Sequence, residues 1–178
     1  MSKLRAIIIK KTLAHIKKEQ LPDGSFLSTS IPVSKNISHD IRYKTTFFTS
    51  NILLCLNALS KNIGLLSIAE KKDLKTIRSK AIEFLLKQKG DDWSFNYWAK
   101  GTREQSSMPY PNDLDDTFAA LSSIILYDPD LINGQALAGI VQLLISQETH
   151  KEGGPFKTWI NPNNSAITWQ NVDIAVNS

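Results

Sequence analysis

A turn that recurs three times constrains this chain more than any other feature. Gln20-Leu21-Pro22-Asp23-Gly24-Ser25-Phe26, Gln88-Lys89-Gly90-Asp91-Asp92-Trp93-Ser94-Phe95 and Gln147 through Gly153-Gly154-Pro155-Phe156 each run from a Gln through a Gly-containing reversal to a Phe. The three Gln lie 68 and 59 residues apart, and Thr49, Asp116 and Asp173 follow them by 29, 28 and 26 residues at the start of the next apolar segment. Such recurrence marks a supersecondary unit that buries its apolar face by stacking on its neighbours. Gly permits a tight reversal. A Gln amide can satisfy the carbonyls that a helix end leaves open. The aromatic anchors the loop on adjacent helices.

Between the turns, apolar residues fall at helical spacing. Ile9, Leu13 and Ile16 share one face of a helix over about residues 3–18. A second helix, over about 46–61, is apolar nearly all round through Ile52, Leu53, Leu56 and Leu59. It is expected to be buried, and Cys55 within it to be a small buried hydrophobe. Ser67-Ile68-Ala69-Glu70 forms a capping box that opens a third helix ending near Gln88, with Leu74, Ile77, Ala81, Phe84 and Leu85 on one stripe. A fourth helix runs from Asp113–Asp116 to about Leu126, where Asp128-Pro129 breaks it. A fifth spans about 133–147 with Leu137, Ile140, Val141 and Leu144 on one face, and a sixth begins near Asn171. Residues 28–44 and 93–111 read as loops. One-sided helices thus alternate with apolar ones, as an outer row packed on an inner row does. The expectation is one all-α domain over 1–178 without substantial sheet, in three repeats at about 3–61, 67–126 and 133–178, the last incomplete.

The formal net charge is +4, with basic residues at Lys10, Lys11, Lys17, Lys18 and across 71–80. No aromatics interleave them, so they read as solvated helix faces rather than a nucleic-acid surface. The single cysteine excludes an intrachain disulfide and fits a reducing cytoplasm. Ala6-Ile7-Ile8-Ile9 is too short for a signal-peptide core, and no segment reaches membrane-spanning length. The expected location is cytoplasmic, with a weak peripheral membrane contact through the basic first helix left open.

The first turn copy (Gln, three residues, Gly, one residue, aromatic) is similar to the QW repeats of squalene-hopene cyclases and related triterpene synthases. Phe26, Phe95 and Phe156 stand where that family usually has Trp, and two copies carry insertions. The resemblance implies part of an α/α toroid, with outer and inner helix pairs amounting to about half a ring. Asp113-Leu114-Asp115-Asp116 resembles the DxDD motif of class II terpene cyclases. Carried over, Asp115 is the acid that protonates an alkene or epoxide, with Asp113 and Asp116 as its partners. Trp93, Tyr97, Trp98 and Tyr110 are then the candidate substrate-binding rings. The chemistry implied is of isomerase or lyase type on an isoprenoid-type substrate, without a cofactor. Crowded carboxylates cannot all ionise, so one keeps a proton, and aromatic faces stabilise the cation formed. The toroid also resembles the β subunits of protein prenyltransferases, which hold zinc through Asp, Cys and His. Cys55, His15, His39 and His150 offer no pair at ligand spacing, so no metal is expected.

Two readings of the cluster stand side by side. Asp at a cap and in a first helical turn is stabilised by backbone N–H groups and the helix dipole, so the three aspartates also suit plain capping. In the second reading the chain is a non-catalytic toroid piece that binds an apolar ligand or a protein partner. Apolar inner helices in half a ring need cover, so self-association or a partner chain completing the toroid is expected.

Overall fold

The structure, a computed structural model, describes residues 3–30, 41–62, 64, 66–149 and 155–160. Among these the chain is mainly helical. The order is α1 (Lys3–Glu19), β1 (Leu27–Ser30), β2 (Ile41–Lys44), α2 (Thr46–Ser60), α3 (Ile68–Gln88), α4 (Arg103–Ser107), β3 (Asn112–Asp113), α5 (Leu114–Tyr127), α6 (Gly134–Gln147) and β4 (Trp159–Ile160). The Ser67–Glu70 capping box starts α3 as the sequence predicts. The strands pair antiparallel as β1 with β2 and β3 with β4, so the expected loops hold two small sheets and the short α4. The expected helix near Asn171, with Asp173, lies outside the described residues, as do His39, His150, Gly153 and Gly154.

The repeat is visible bond by bond. In the first turn, the Ser25 amide and hydroxyl donate to Asp23 Oδ1, and Leu21 N donates to Ser25 O at 2.9 Å. In the second, the Ser94 amide and hydroxyl donate to Asp92 Oδ1, and Gly90 N donates to Ser94 O at 2.8 Å. Phe26 N then donates to Thr49 Oγ1 at 3.1 Å, and Phe95 N to Thr117 Oγ1 at 3.0 Å. Each threonine hydroxyl donates in turn to the carbonyl of the helix cap, Thr45 or Asp113. Successive units join the same way. Thr46 N donates to Tyr97 O at 2.9 Å, and Leu114 N donates to Thr158 O at 2.8 Å. These bonds correct the repeat frame. Thr49 is equivalent to Thr117 rather than to Asp116. The last helical residues Glu19, Gln88 and Gln147 correspond, so Gln20 matches Lys89.

Gly24 explains why the turn needs glycine. Its φ is +92°, and an added Cβ would lie 2.0 Å from the Lys80 carbonyl oxygen of α3. Gln20 Nε2 donates to Ile77 O at 2.9 Å and so binds the same turn to α3. Trp93 takes the equivalent place with φ +65°, a left-handed conformation in a bulky residue.

Packing forms two rows. α2 and α5 lie side by side, α3 rests on both, and α1 rests on α3. Leu74, Ile77, Ala81, Phe84 and Leu85 are buried along α3, as their spacing predicts. Polar bonds tie the helices together: Asn57 Nδ2 donates to Ser123 O and Ser123 Oγ to Ser50 O, joining α2 to α5, while Arg78 Nε donates to Asn57 Oδ1 and joins α3 to α2. Three expectations change. The inner helices are not covered all round: Phe47, Phe48, Ile125 and Leu126 are exposed, and so is Cys55. On α6 the buried face is Ala136, Ile140 and Leu143, while Leu137 and Val141 face outward. Apolar periodicity defines a stripe but not what lies over it.

Gly24→Ala is expected to destabilise by roughly 2–4 kcal/mol, combining backbone strain with overpacking. Thr49→Val should cost about 1–3 kcal/mol by leaving the buried Phe26 N–H unpaired. Urea unfolding measures both, and wild-type stability in either variant would contradict the assigned contacts.

Candidate functional site

The site grows from the N-terminus of α5. Asp113 is the N-cap, and its Oδ1 accepts from Asp116 N at 2.8 Å. The Asp113 backbone is fixed on two sides, since its N–H donates to Phe95 O and Asp113 pairs with Trp159 across β3 and β4. Asp113 and Asp116 are 3% and 2% exposed, whereas Asp115 is open to solvent. Carboxylate oxygens of all three lie within 4.8 Å of one another. Among the described residues, no cation forms an ion pair with them, and Asp116 Oδ1 is buried without a hydrogen-bond partner.

Such crowding holds protons. Burial, first of all, pushes Asp113 up to about 11, helped by hydrogen bonds and charge from Asp115 and Asp116. Burial likewise pushes Asp116 up to about 7, against the hydrogen bond with Asp113 and with the Asp115 charge. The helix dipole and the single backbone donor on Asp113 favour the anion, but the missing solvent and the like charges outweigh them. The cluster therefore retains at least one proton at neutral pH. Among the described residues, these aspartates are also the one group with ligand atoms close enough for a metal ion. Loading a cation there would require stripping those protons.

A pocket of about 260 Å³ opens over the cluster, lined by the three aspartates with Phe47, Tyr97, Tyr110, Thr158 and Trp159. Tyr97 lies 6.3 Å from Phe47 and 6.2 Å from Tyr110 between ring centres, and Tyr110 lies 6.5 Å from Trp159. Burial, then the Asp116 charge, raises the Tyr97 phenol. Trp98 stands behind this wall, 4.7 Å from the Tyr97 ring and 5.6 Å from Tyr110.

Of the residues expected from sequence, the fold brings Asp113, Asp115, Asp116, Tyr97 and Tyr110 to one pocket and seats Trp98 against it. Trp93 stands apart: Lys89 Nζ sits 4.8 Å over its ring, in a groove shared with α6. Phe47 and Trp159 were not evident from the local motif. The repeat frame is the signal that finds them. Phe47 holds in α2 the place that Asp115 holds in α5, and Trp159 holds the place of Trp98.

Compared with known proteins, the chain matches no family model, no curated protein and no solved structure. Among the described residues, no helix is long and apolar enough to cross a membrane.

The raised pKa values set the sign of a pH effect. Folding must keep Asp113 and Asp116 protonated above their unfolded pKa, so the native state binds more protons and stability falls as pH rises. The fall begins near pH 4 and runs through about 7 for Asp116 towards 11 for Asp113. Asp116→Asn should flatten the part below pH 8 or so. Asp113→Asn should reduce the slope across the whole range, and alone flatten its alkaline part, while keeping the cap, and Asp113→Ala should cost about 1–2 kcal/mol through the lost cap. Urea midpoints across pH 5–9 or so test this, and a slope unchanged in both Asn variants would refute the proton inventory.

Proposed function

We propose that this pocket is a general-acid site of the class II terpene-cyclase type, borne on part of an α/α toroid. The observation that carries the reading is the meeting of three aspartates, two of them buried with raised pKa, and four aromatic rings in one pocket. Asp113 holds the proton, and Asp115, within 4.8 Å of it and open to solvent, is the member placed to relay it to the pocket. Transfer to a substrate alkene forms a C–H bond and a carbocation. The faces of Phe47, Tyr97, Tyr110 and Trp159 then stabilise that cation. Ring closure and loss of a proton complete an isomerisation with no redox partner. Asp113 and Asp116 hold the proton supply in place.

The substrate class that suits this wall is an isoprenoid-type alkene. The pocket, at about 260 Å³, lies below the usual 300–1,000 Å³ or so of ligand sites. A longer chain therefore runs on to the open apolar face of α2 and α5, around Phe47 and Leu126. That open face also favours a second reading, in which the site binds an apolar ligand or partner without chemistry. In either reading, a second copy or a partner chain that covers this face would exclude water from the pocket.

Conversion of squalene or a linear prenyl diphosphate, followed by product analysis, separates the two. Wild type is expected to form cyclic product, and Asp115→Asn to lose about a hundredfold or more with unchanged circular dichroism. A folded wild-type preparation that binds these substrates and yields no product would leave the binding reading. Trp93→Phe should leave turnover unchanged, because Trp93 lies outside the pocket.

A further inference from the structure

A second pocket, of about 420 Å³, lies at the other end of the described stack, between α1, α2 and the β1–β2 hairpin. α3, the outer helix of the second unit, rests on α2, the inner helix of the first. The floor is apolar, with Phe26 buried, Ile52 half-buried and Phe48 exposed in the first turn of α2.

The walls differ from those that receive a helix. Counted back from the helix ends at Glu19 and Gln88, His15 of α1 stands where α3 has the buried Phe84. Lys18 and Arg42 add two cations to the rim, against the single carboxylate of Glu19. Neither Lys18 nor Arg42 forms an ion pair among the described residues. An apolar slot with a cationic mouth is complementary to a molecule with one apolar chain and an anionic head. The small positive excess matches a monoanion better than a doubly charged phosphate ester. The volume suits a single chain, not a two-chain membrane lipid.

We propose that this slot binds a free single-chain carboxylate amphiphile of the fatty-acid type, its chain over Phe48 and Ile52 and its head between Lys18 and Arg42. The site is separate from the aspartate pocket and does not depend on the reading of that pocket. The test is calorimetric titration of the full chain, below their micellar limits, with laurate, dodecyl phosphate, dodecanol and dodecyltrimethylammonium. Laurate should bind with a Kd on the order of micromolar. Dodecanol and the ammonium should bind at least about tenfold more weakly, because they lack the attraction to the rim. Lys18→Glu with Arg42→Glu alters only exposed side chains, so folding is retained; laurate affinity should drop about tenfold or more and the ammonium should gain. Ile52→Trp should fill the slot and abolish binding, while Asp115→Asn should leave it unchanged. Equal binding of all four probes, laurate binding unaffected by the charge reversal, or no laurate binding would each overturn the proposal. Tighter binding of dodecyl phosphate than laurate would overturn the choice of a carboxylate.

Discussion

The structure depends on one hydrogen bond that each unit repeats, from the amide of the turn phenylalanine to a threonine hydroxyl on the inner helix. Phe26 and Phe95 are both fully buried, so their N–H groups have no access to water. The hydroxyls of Thr49 and Thr117 accept from them and pass their own protons to the cap carbonyls one helical turn back. A single side chain thereby satisfies a buried donor and a buried acceptor, each of which would be costly if left unpaired. The same bond sets how deeply the turn seats against the inner helix. That depth fixes the register of the following chain, and so brings the start of each inner helix against the next unit's aromatic segment.

The aspartate pocket is a consequence of that register. The cap position of the inner helix is filled by Thr45 in one unit and by Asp113 in the next, and both side chains accept from the third backbone amide. The cap thus places a polar residue at the position of 113 in both units, whereas the first-turn acids at 115 and 116 have Phe47 and Phe48 as their counterparts in α2. The two bulky side chains of the first unit and the two carboxyls of the second occupy the same places in one scaffold. Phe47 faces the carboxyls across the pocket because α2 and α5 lie side by side. The scaffold supplies position and burial, and the change of side chain supplies the carboxyls.

The acids at this position cost stability. Asp116 Oδ1 is buried with no partner, and Asp113 keeps a proton that water would remove. Stability is recovered elsewhere through the dry core of α3 and the Asn57–Ser123–Arg78 cross-links.

Helix positions were legible in the sequence because periodicity, the Ser67 capping box and the Asp128-Pro129 break are local. The need for glycine at 24 and the grouping of three aspartates at a helix start were legible for the same reason. The frame of the repeat was misread by one residue, since Gln20 and Gln88 look alike while the bonds that define equivalence run from Phe26 to Thr49 and from Phe95 to Thr117. Exposure was not legible either: Cys55, Leu137 and Val141 lie on apolar helices, and only the neighbours that pack against each face decide which side meets water. The proton affinity of Asp113 was hidden for a related reason. It depends on burial at a point where the backbone pairs with Trp159, a residue 46 positions away along the chain. The sequence by itself determined where the chain turns, where its helices start and which groups carry charge. Only tertiary structure decided which of those charges lose their water, because solvation is set by chain segments that come together in space.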